Sequence, residues 1–176
     1  MKAIIVGGGI GGITAGIALK YIGWDVTVFE QADKLREVGA GITIWSNAIK
    51  ALNKIEAGDA VLAAGSISLE RGEVRTRRNS LLATVPADEI KRRTGTPTIA
   101  IHRANLIDAL HQCLGSDLQT GSRCTSIRQT RHEVTAVLAG GHEESGDVLI
   151  AADGIRSVVR EQLHGQQDPR YAGYIV

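Results

Sequence analysis

The run Gly7-Gly8-Gly9-Ile10-Gly11-Gly12 constrains this chain more than any other stretch. Before it, residues 2–6 (KAIIV) form a short β-branched segment that reads as a buried parallel strand. After it, Ile10, Ile13, Ile17 and Tyr21 recur at helical spacing, and Gly23 stands where a C-cap glycine belongs. Residues 25–30 (DVTVFE) alternate as a second strand. Strand, loop, helix and strand within about thirty residues make a βαβ unit. The loop fits G-x-G-x-x-G. Gly7 permits the tight turn, Gly9 lets a pyrophosphate approach the backbone, and Gly12 lets the helix pack on the strand. The helix start at Ile10 and Gly11 offers unpaired N–H groups to phosphate oxygens.

Glu30 closes the second strand, 23 residues after Gly7. A carboxylate there accepts hydrogen bonds from both ribose hydroxyls of an adenosine and repels a 2′-phosphate. A glycine-rich turn beside an exposed Glu is the plain alternative. The agreement of strand, helix, spacing and terminal acid outweighs it. The fingerprint does not separate NAD from FAD, because both carry the ADP half.

The chain of 176 residues suffices for one domain, or for one domain and part of another. A net charge of +1 and 3% aromatic residues weigh against a dedicated nucleic-acid binder, which needs cations for phosphates and rings for stacking. The uncharged run 3–19 holds six glycines and is too short and too broken for a spanning helix or a signal peptide. Cys113 and Cys124 form no CxxC pair and no disulfide framework, which fits a reducing compartment, by default the cytoplasm. His102, His111, His132, His142 and His164 lack zinc-site spacing, so no metal is expected. No G-x-S-x-G elbow or G-x-x-x-x-G-K-[ST] loop occurs. The basic clusters at Arg71, Arg75, Arg77 and Arg78, and at Lys91, Arg92 and Arg93, read as solvated faces. The sharper reading of them is attraction for an anionic substrate or for NAD(P)H phosphates.

Further along, residues 47–64 suggest a helix broken near Gly58, with Gly58-Asp59 on the surface. Residues 66–85 suggest antiparallel strands turning at 77–80, and 86–96 a polar loop or short helix. A strand at 97–101 precedes a helix over 105–114 ended by Gly115. Residues 133–138 and 147–151 read as two strands paired through Gly140-Gly141, and 155–163 as a short helix.

Three later segments decide between NAD and FAD. They are Arg36-Glu37-Val38-Gly39-Ala40-Gly41-Ile42 running on to Trp45-Ser46-Asn47-Ala48, His102-Arg103-Ala104-Asn105-Leu106, and Leu149-Ile150-Ala151-Ala152-Asp153-Gly154-Ile155-Arg156-Ser157-Val158-Val159-Arg160. With the glycine loop, they resemble the single-component class A FAD monooxygenases of the p-hydroxybenzoate hydroxylase type. Within these, the chain is most similar to the salicylate and FAD-dependent urate hydroxylase branch. The third segment is the most specific, matching that family's second FAD fingerprint.

The resemblance implies a cofactor-contacting set. Besides Gly7, Gly9, Ile10, Gly11, Gly12 and Glu30 it contains Gln31, Arg36, Gly41, Thr43, Arg103, Cys124, Asp153 and Gly154. Arg36 falls where the family places a cation near adenosine and pyrophosphate. Gly39 and Gly41 let an extended segment pass the cofactor, with Thr43 adding a hydroxyl. Arg103 falls on the arginine that reaches the flavin side. Cys124 lies at the strand end whose backbone meets the adenine, and Asp153-Gly154 on the turn near the pyrophosphate. The implied fold is α/β: a Rossmann-like FAD-binding domain with a parallel sheet and helices on both faces, plus an incomplete antiparallel substrate-domain sheet. Residues 1–65 and 97–165 make the first, and 66–96 and 166–176 the second.

The family's third motif, a Gly-Asp-Ala segment followed by proline and glycines, has no counterpart, since Gly58-Asp59-Ala60 only imitates its opening. We therefore expect the N-terminal part of an NAD(P)H-dependent flavoprotein that hydroxylates a small aromatic or purine-like substrate, with no catalytic acid or base in these residues. A non-enzymatic ADP-moiety module and an inactive truncation product are the alternatives.

Overall fold

A computed structural model of the chain describes residues 1–35, 40–67 and 72–173. The elements in order begin β1 (Lys2–Val6), α1 (Ile10–Tyr21), β2 (Asp25–Phe29), β3 (Gly41–Ile44), α2 (Ser46–Asn53) and α3 (Gly58–Ala64). Next come β4 (Ser66–Ile67), β5 (Gly72–Arg75), β6 (Leu81–Val85), α4 (Ala87–Thr94), β7 (Ile99–His102) and α5 (Arg103–Leu114). The chain continues with β8 (Leu118–Gln119), β9 (Cys124–Gln129), β10 (Val134–Leu138), β11 (Glu143–Gly146), β12 (Val148–Ala151) and α6 (Val158–His164). No described helix is long and apolar enough to cross a membrane. The described residues divide into two compact units, 1–35 with 114–173, and 40–67 with 72–113.

In the first unit a parallel sheet runs in the order β12-β1-β2-β8. β1 sits between the strand that follows it and one that arrives from far along the chain. The strand order thus reverses at β1, and the carboxyl ends of β12, β1 and β2 open on one edge, where such sheets bind ligands. Side chains alternate along β1 and separate two cores. Ile5 and Val28 face α1, which comes close because Gly16 lacks a side chain: a Cβ there would lie 2.9 Å from Leu114 and 3.2 Å from Val28. Ile4, Val6 and Phe29 face the other way, into a cluster with Cys124, Ile127, Ala136, Leu138 and Val159.

That second face corrects the expectation of helices on both sides. It is covered by an antiparallel sheet of order β11-β10-β9. The pairing of 133–138 with 147–151 is corrected as well. The glycine turn joins β10 to β11, with Val134 opposite Gly146 and Val137 opposite Glu143. β12 instead joins β1 in parallel. The polar residues of β11 (EESG) carried no strand signal. The apolar VLIA segment next to them did, and it forms a half-buried edge strand of the parallel sheet beside β1.

In the second unit β7 lies between β3 and β4, all antiparallel, and β5 and β6 form a separate hairpin. The helix break near Gly58 is present, but Gly58 is buried and not at the surface. Its backbone lies against Asn53, whose amide nitrogen would be 3.1 Å from an added Cβ.

Candidate functional site

The glycine loop leaves β1 through a turn that only glycine accommodates. Gly7 has φ +110°, and a Cβ there would intrude on the Ala152 carbonyl and lie 2.9 Å from the Asp153 nitrogen. A Cβ on Gly12 would overlap the Gly7 carbonyl oxygen and sit 3.3 Å from the Ala152 methyl. One on Gly8 would lie 2.7 Å from the Glu30 Cβ. Gly9 and Gly11 differ, because nothing among the described residues stands within 4 Å of an added Cβ at either. Three glycines of the loop thus let the chain fold on itself, and two leave its outer surface bare.

Gly9 is also the N-cap of α1, and no side chain caps that end. The first helical N–H groups, beginning at Ile10, have no intrahelical partner by geometry. A bare helix start beneath open glycines suits a phosphate group.

Glu30 stands beside this helix start, half-buried. Its Oε2 accepts the Gly8 N–H at 2.7 Å and its Oε1 the Ala32 N–H at 2.8 Å. Each oxygen keeps a second acceptor direction for a hydroxyl. The backbone around it is pinned: Gly7 N–H donates to Phe29, Glu30 N–H to Gln119, Ser122 N–H to Glu30 and Gly121 N–H to Ala32, all between 2.7 and 2.9 Å. Gln31 is exposed next to it.

Asp153 and Gly154 follow β12, and Gly154 has φ +81°. The Asp153 Oδ2 accepts the Val158 N–H at 2.9 Å and so fastens the start of α6. Its Oδ1 is buried without a partner among the described residues. A buried acceptor of this kind calls for a donor, a role that a cofactor hydroxyl or an ordered water would fit. Cys124 begins β9 and is buried. Burial pushes its thiol above the ordinary value, and the nearby Asp153 charge adds to the rise. It is a packed, neutral side chain, so any cofactor contact there falls to its backbone.

The structure therefore brings Gly7, Gly9, Ile10, Gly11, Gly12, Glu30, Asp153 and Gly154 to the carboxyl edge of one sheet. In the second unit it brings Gly41 and Arg103 together. Gly41 is opposite His102 in the β3–β7 register, and the Arg103 N–H donates to Ala40 at 3.2 Å. Thr43 is exposed two residues along the same strand, and Arg103 is half-buried at the start of α5. Arg36 lies outside the described residues. Among the described residues no cluster of His, Cys, Asp and Glu is arranged to hold a metal ion.

Sequence reasoning missed three contributors. Gly8 donates to Glu30, a role the middle position of G-x-G does not advertise. Ala152 supplies the peptide on which Gly7 rests. Ser157 Oγ accepts the Arg160 N–H at 3.0 Å and caps α6, a role that a Ser just ahead of an apolar run does signal. Of the basic clusters, Arg75 pairs with Glu73 at 2.7 Å, and Arg93 with Glu89 at 2.5 Å.

These features, an open helix start, a ribose-competent carboxylate and an orphaned aspartate oxygen, fit the ADP half of a dinucleotide and the hydroxyls attached to it. Comparison with known proteins points the same way. The chain is 40% identical over 175 residues to aurachin C monooxygenase/isomerase of Stigmatella aurantiaca, covering 99% of this chain and 45% of that protein. It is 35% identical over 178 residues to the FAD-dependent urate hydroxylase of Klebsiella pneumoniae subsp. pneumoniae, covering 99% and 46%. The crystal structure of Klebsiella pneumoniae HpxO complexed with FAD and uric acid superposes with a TM-score of 0.83 at 32% identity, over 92% of this chain and 41% of that one. The chain thus spans a little under half the length of the curated relatives it matches. The family model described as "FAD binding domain" matches residues 1–172, and the chain belongs to that family.

Proposed function

We propose that this chain holds FAD by its ADP half at the carboxyl edge of the β12-β1-β2 sheet. In this reading it works within a longer flavoprotein monooxygenase. The observation that carries the reading is the Glu30 carboxylate. It is fixed by the Gly8 and Ala32 amides beside an uncapped helix start, with acceptor directions to spare. Glu30 takes the ribose hydroxyls, the N–H groups from Ile10 onward take the pyrophosphate, and bare Gly9 and Gly11 admit it. Asp153 offers its unpaired oxygen to a cofactor hydroxyl. By the family resemblance, Arg36 lies near the adenosine and pyrophosphate, Gly41, Thr43 and Arg103 contact the remainder, with Arg103 toward the flavin, and the backbone at Cys124 and Gln31 borders the adenosine.

FAD supplies the redox chemistry of such enzymes, accepting electrons from NAD(P)H and delivering one oxygen atom of O2 to the substrate ring. The residues described here bind and orient it. The proposed substrate is a small aromatic or purine-like molecule, consistent with relatives named as urate and 3-hydroxybenzoate hydroxylases. Residues 1–65 and 97–165 would form the cofactor domain, and 66–96 with 166–176 part of a substrate domain. The two cysteines outside any disulfide pattern support a cytoplasmic setting.

Purified chain, mixed with FAD and then freed of excess, should retain the visible flavin bands, and NAD should not displace them. A folded protein that comes through colourless defeats the proposal. Equal retention of NAD and FAD would favour a general ADP-moiety module.

A further inference from the structure

We infer that Gln162 is a positioning residue for the dinucleotide site, tying the Asp153 turn to the strand that begins at Cys124. The inference rests on the function proposed above. β9 is an edge of its sheet, paired only with β10 among the described residues. In an antiparallel pair, alternate residues direct both backbone groups away from the partner strand. Ile127 is such a residue, and its outward groups are not left to water. Its N–H donates to the Gln162 Oε1 at 2.8 Å, and its C=O accepts from the Gln162 Nε2 at 2.6 Å. The side-chain amide thus behaves as one residue of an added strand. A primary amide of this length offers a donor and an acceptor side by side whatever the pH.

The consequence lies in what each end of this tie is attached to. Gln162 belongs to α6, whose first turn is fastened by the Asp153 Oδ2 through the Val158 N–H. Asp153 also follows the peptide against which Gly7 turns. Ile127 belongs to β9, whose first residue, Cys124, follows the 119–122 segment bonded to the Glu30 and Ala32 backbone. Gly7, Asp153, α6, Gln162, β9 and Glu30 therefore form a closed circuit of contacts around the site. Between α6 and β9, the only hydrogen bonds among the described residues are those of Gln162. The apolar cluster that Val159 shares with Ile127 holds the same two elements together but does not set their register along the strand.

Two variants, Gln162→Ala and Gln162→Glu, are compared with the native chain. In Gln162→Ala the dissociation constants of ADP and of FAD should both rise about tenfold, the scale of losing one or two net hydrogen bonds. Amide exchange should quicken together at 124–129 and at 153–159. Measurements are made well below the melting temperature, where a purely structural role would leave ADP affinity unchanged. In Gln162→Glu one carboxylate oxygen faces the Ile127 carbonyl, so the ionised form is repelled and its pKa is raised. Protonation restores a donor. Affinity relative to the native chain at the same pH should be low near pH 8 and recover towards pH 5. This variant keeps the test open if Gln162→Ala fails to fold. Unchanged ADP affinity in Gln162→Ala overturns the inference, as does an exchange response confined to one of the two segments. A native chain that binds neither ADP nor FAD defeats the proposed function instead, and the paired exchange response then still decides whether the tie exists.

Discussion

Two glycine-bearing strand ends invite comparison, the β1–α1 loop of the first unit and the start of β3 in the second. At Gly7, Gly8 and Gly12 the surrounding backbone and Glu30 exclude a Cβ. At Gly41 nothing described stands within 4 Å, and Thr43, Ala100 and His102 on the neighbouring positions are exposed. The first site is demanded by the fold, whether or not a cofactor is present. At the second the fold makes no such demand, and glycine there leaves the backbone surface open. Gly9 and Gly11 belong to the second kind although they sit inside the first loop. On the proposed reading a single motif mixes residues needed for folding with residues that bind the cofactor, and the two should separate experimentally.

The largest separation is in stability. Gly7→Ala combines a disfavoured φ with a backbone clash, and Gly12→Ala forces α1 off the Gly7 carbonyl. Each should cost about 3 kcal/mol or more, a large part of a typical domain's stability. Gly41→Ala should cost less than about 0.5 kcal/mol, as for surface changes generally. Urea denaturation of the three variants gives the ranking directly. Comparable midpoints would erase the distinction.

The binding comparison comes next. Glu30→Ala removes two amide acceptors and the ribose acceptors together, so FAD affinity should fall by roughly 10- to 100-fold, with about 2 kcal/mol of stability lost besides. Gly9→Ala should weaken FAD on a similar scale while leaving the urea midpoint near the native value. Isothermal titration with FAD and with ADP reads both. If Gly9→Ala bound FAD normally, the bare surface above the helix start would not be the phosphate site.

What the sequence made legible follows the same division. The strand, loop, helix and strand over residues 2–30 were readable because local glycine geometry and periodicity agree there, and α1 spans the residues expected. β11 and β8 were not, because a polar segment and a two-residue strand acquire their structure from their partners. The partner of β12 was not legible because proximity in sequence favoured a hairpin, whereas the apolar, half-buried VLIA segment pairs with β1 as an edge of the parallel sheet. In the site, Glu30 and Asp153 were marked by position at strand ends. Gln162 was unmarked, since an exposed-looking glutamine on a short helix carries no signal until the edge of β9 is known to lie beside it.

A smaller effect distinguishes the ends of the cofactor. Arg103 is half-buried at the second unit's strand end, and the proposal directs it at the flavin. Arg103→Ala should weaken FAD several-fold, on the order of 1 kcal/mol for an incompletely desolvated cation, and leave ADP affinity unchanged. A parallel loss for ADP would move Arg103 to the adenosine end and break the assignment.

The smallest contrast is between the two thiols. Cys124 in the first unit is buried, and burial raises its pKa above the ordinary thiol value, whereas Cys113 in the second unit is only half-buried. The thiolate is the reactive form, so Cys124 should be alkylated by iodoacetamide far more slowly than Cys113 in the native chain, and at equal rates after denaturation. The native state also holds the Cys124 proton more tightly than the unfolded chain does. Its contribution to stability is therefore complete below the unfolded thiol pKa and is lost as pH rises through the folded one. Equal native-state alkylation at the two positions would mean that β9 opens at Cys124 without global unfolding. The strand end assigned to the adenine would then lack the rigidity that the Asp153, Gln162 and Glu30 contacts confer.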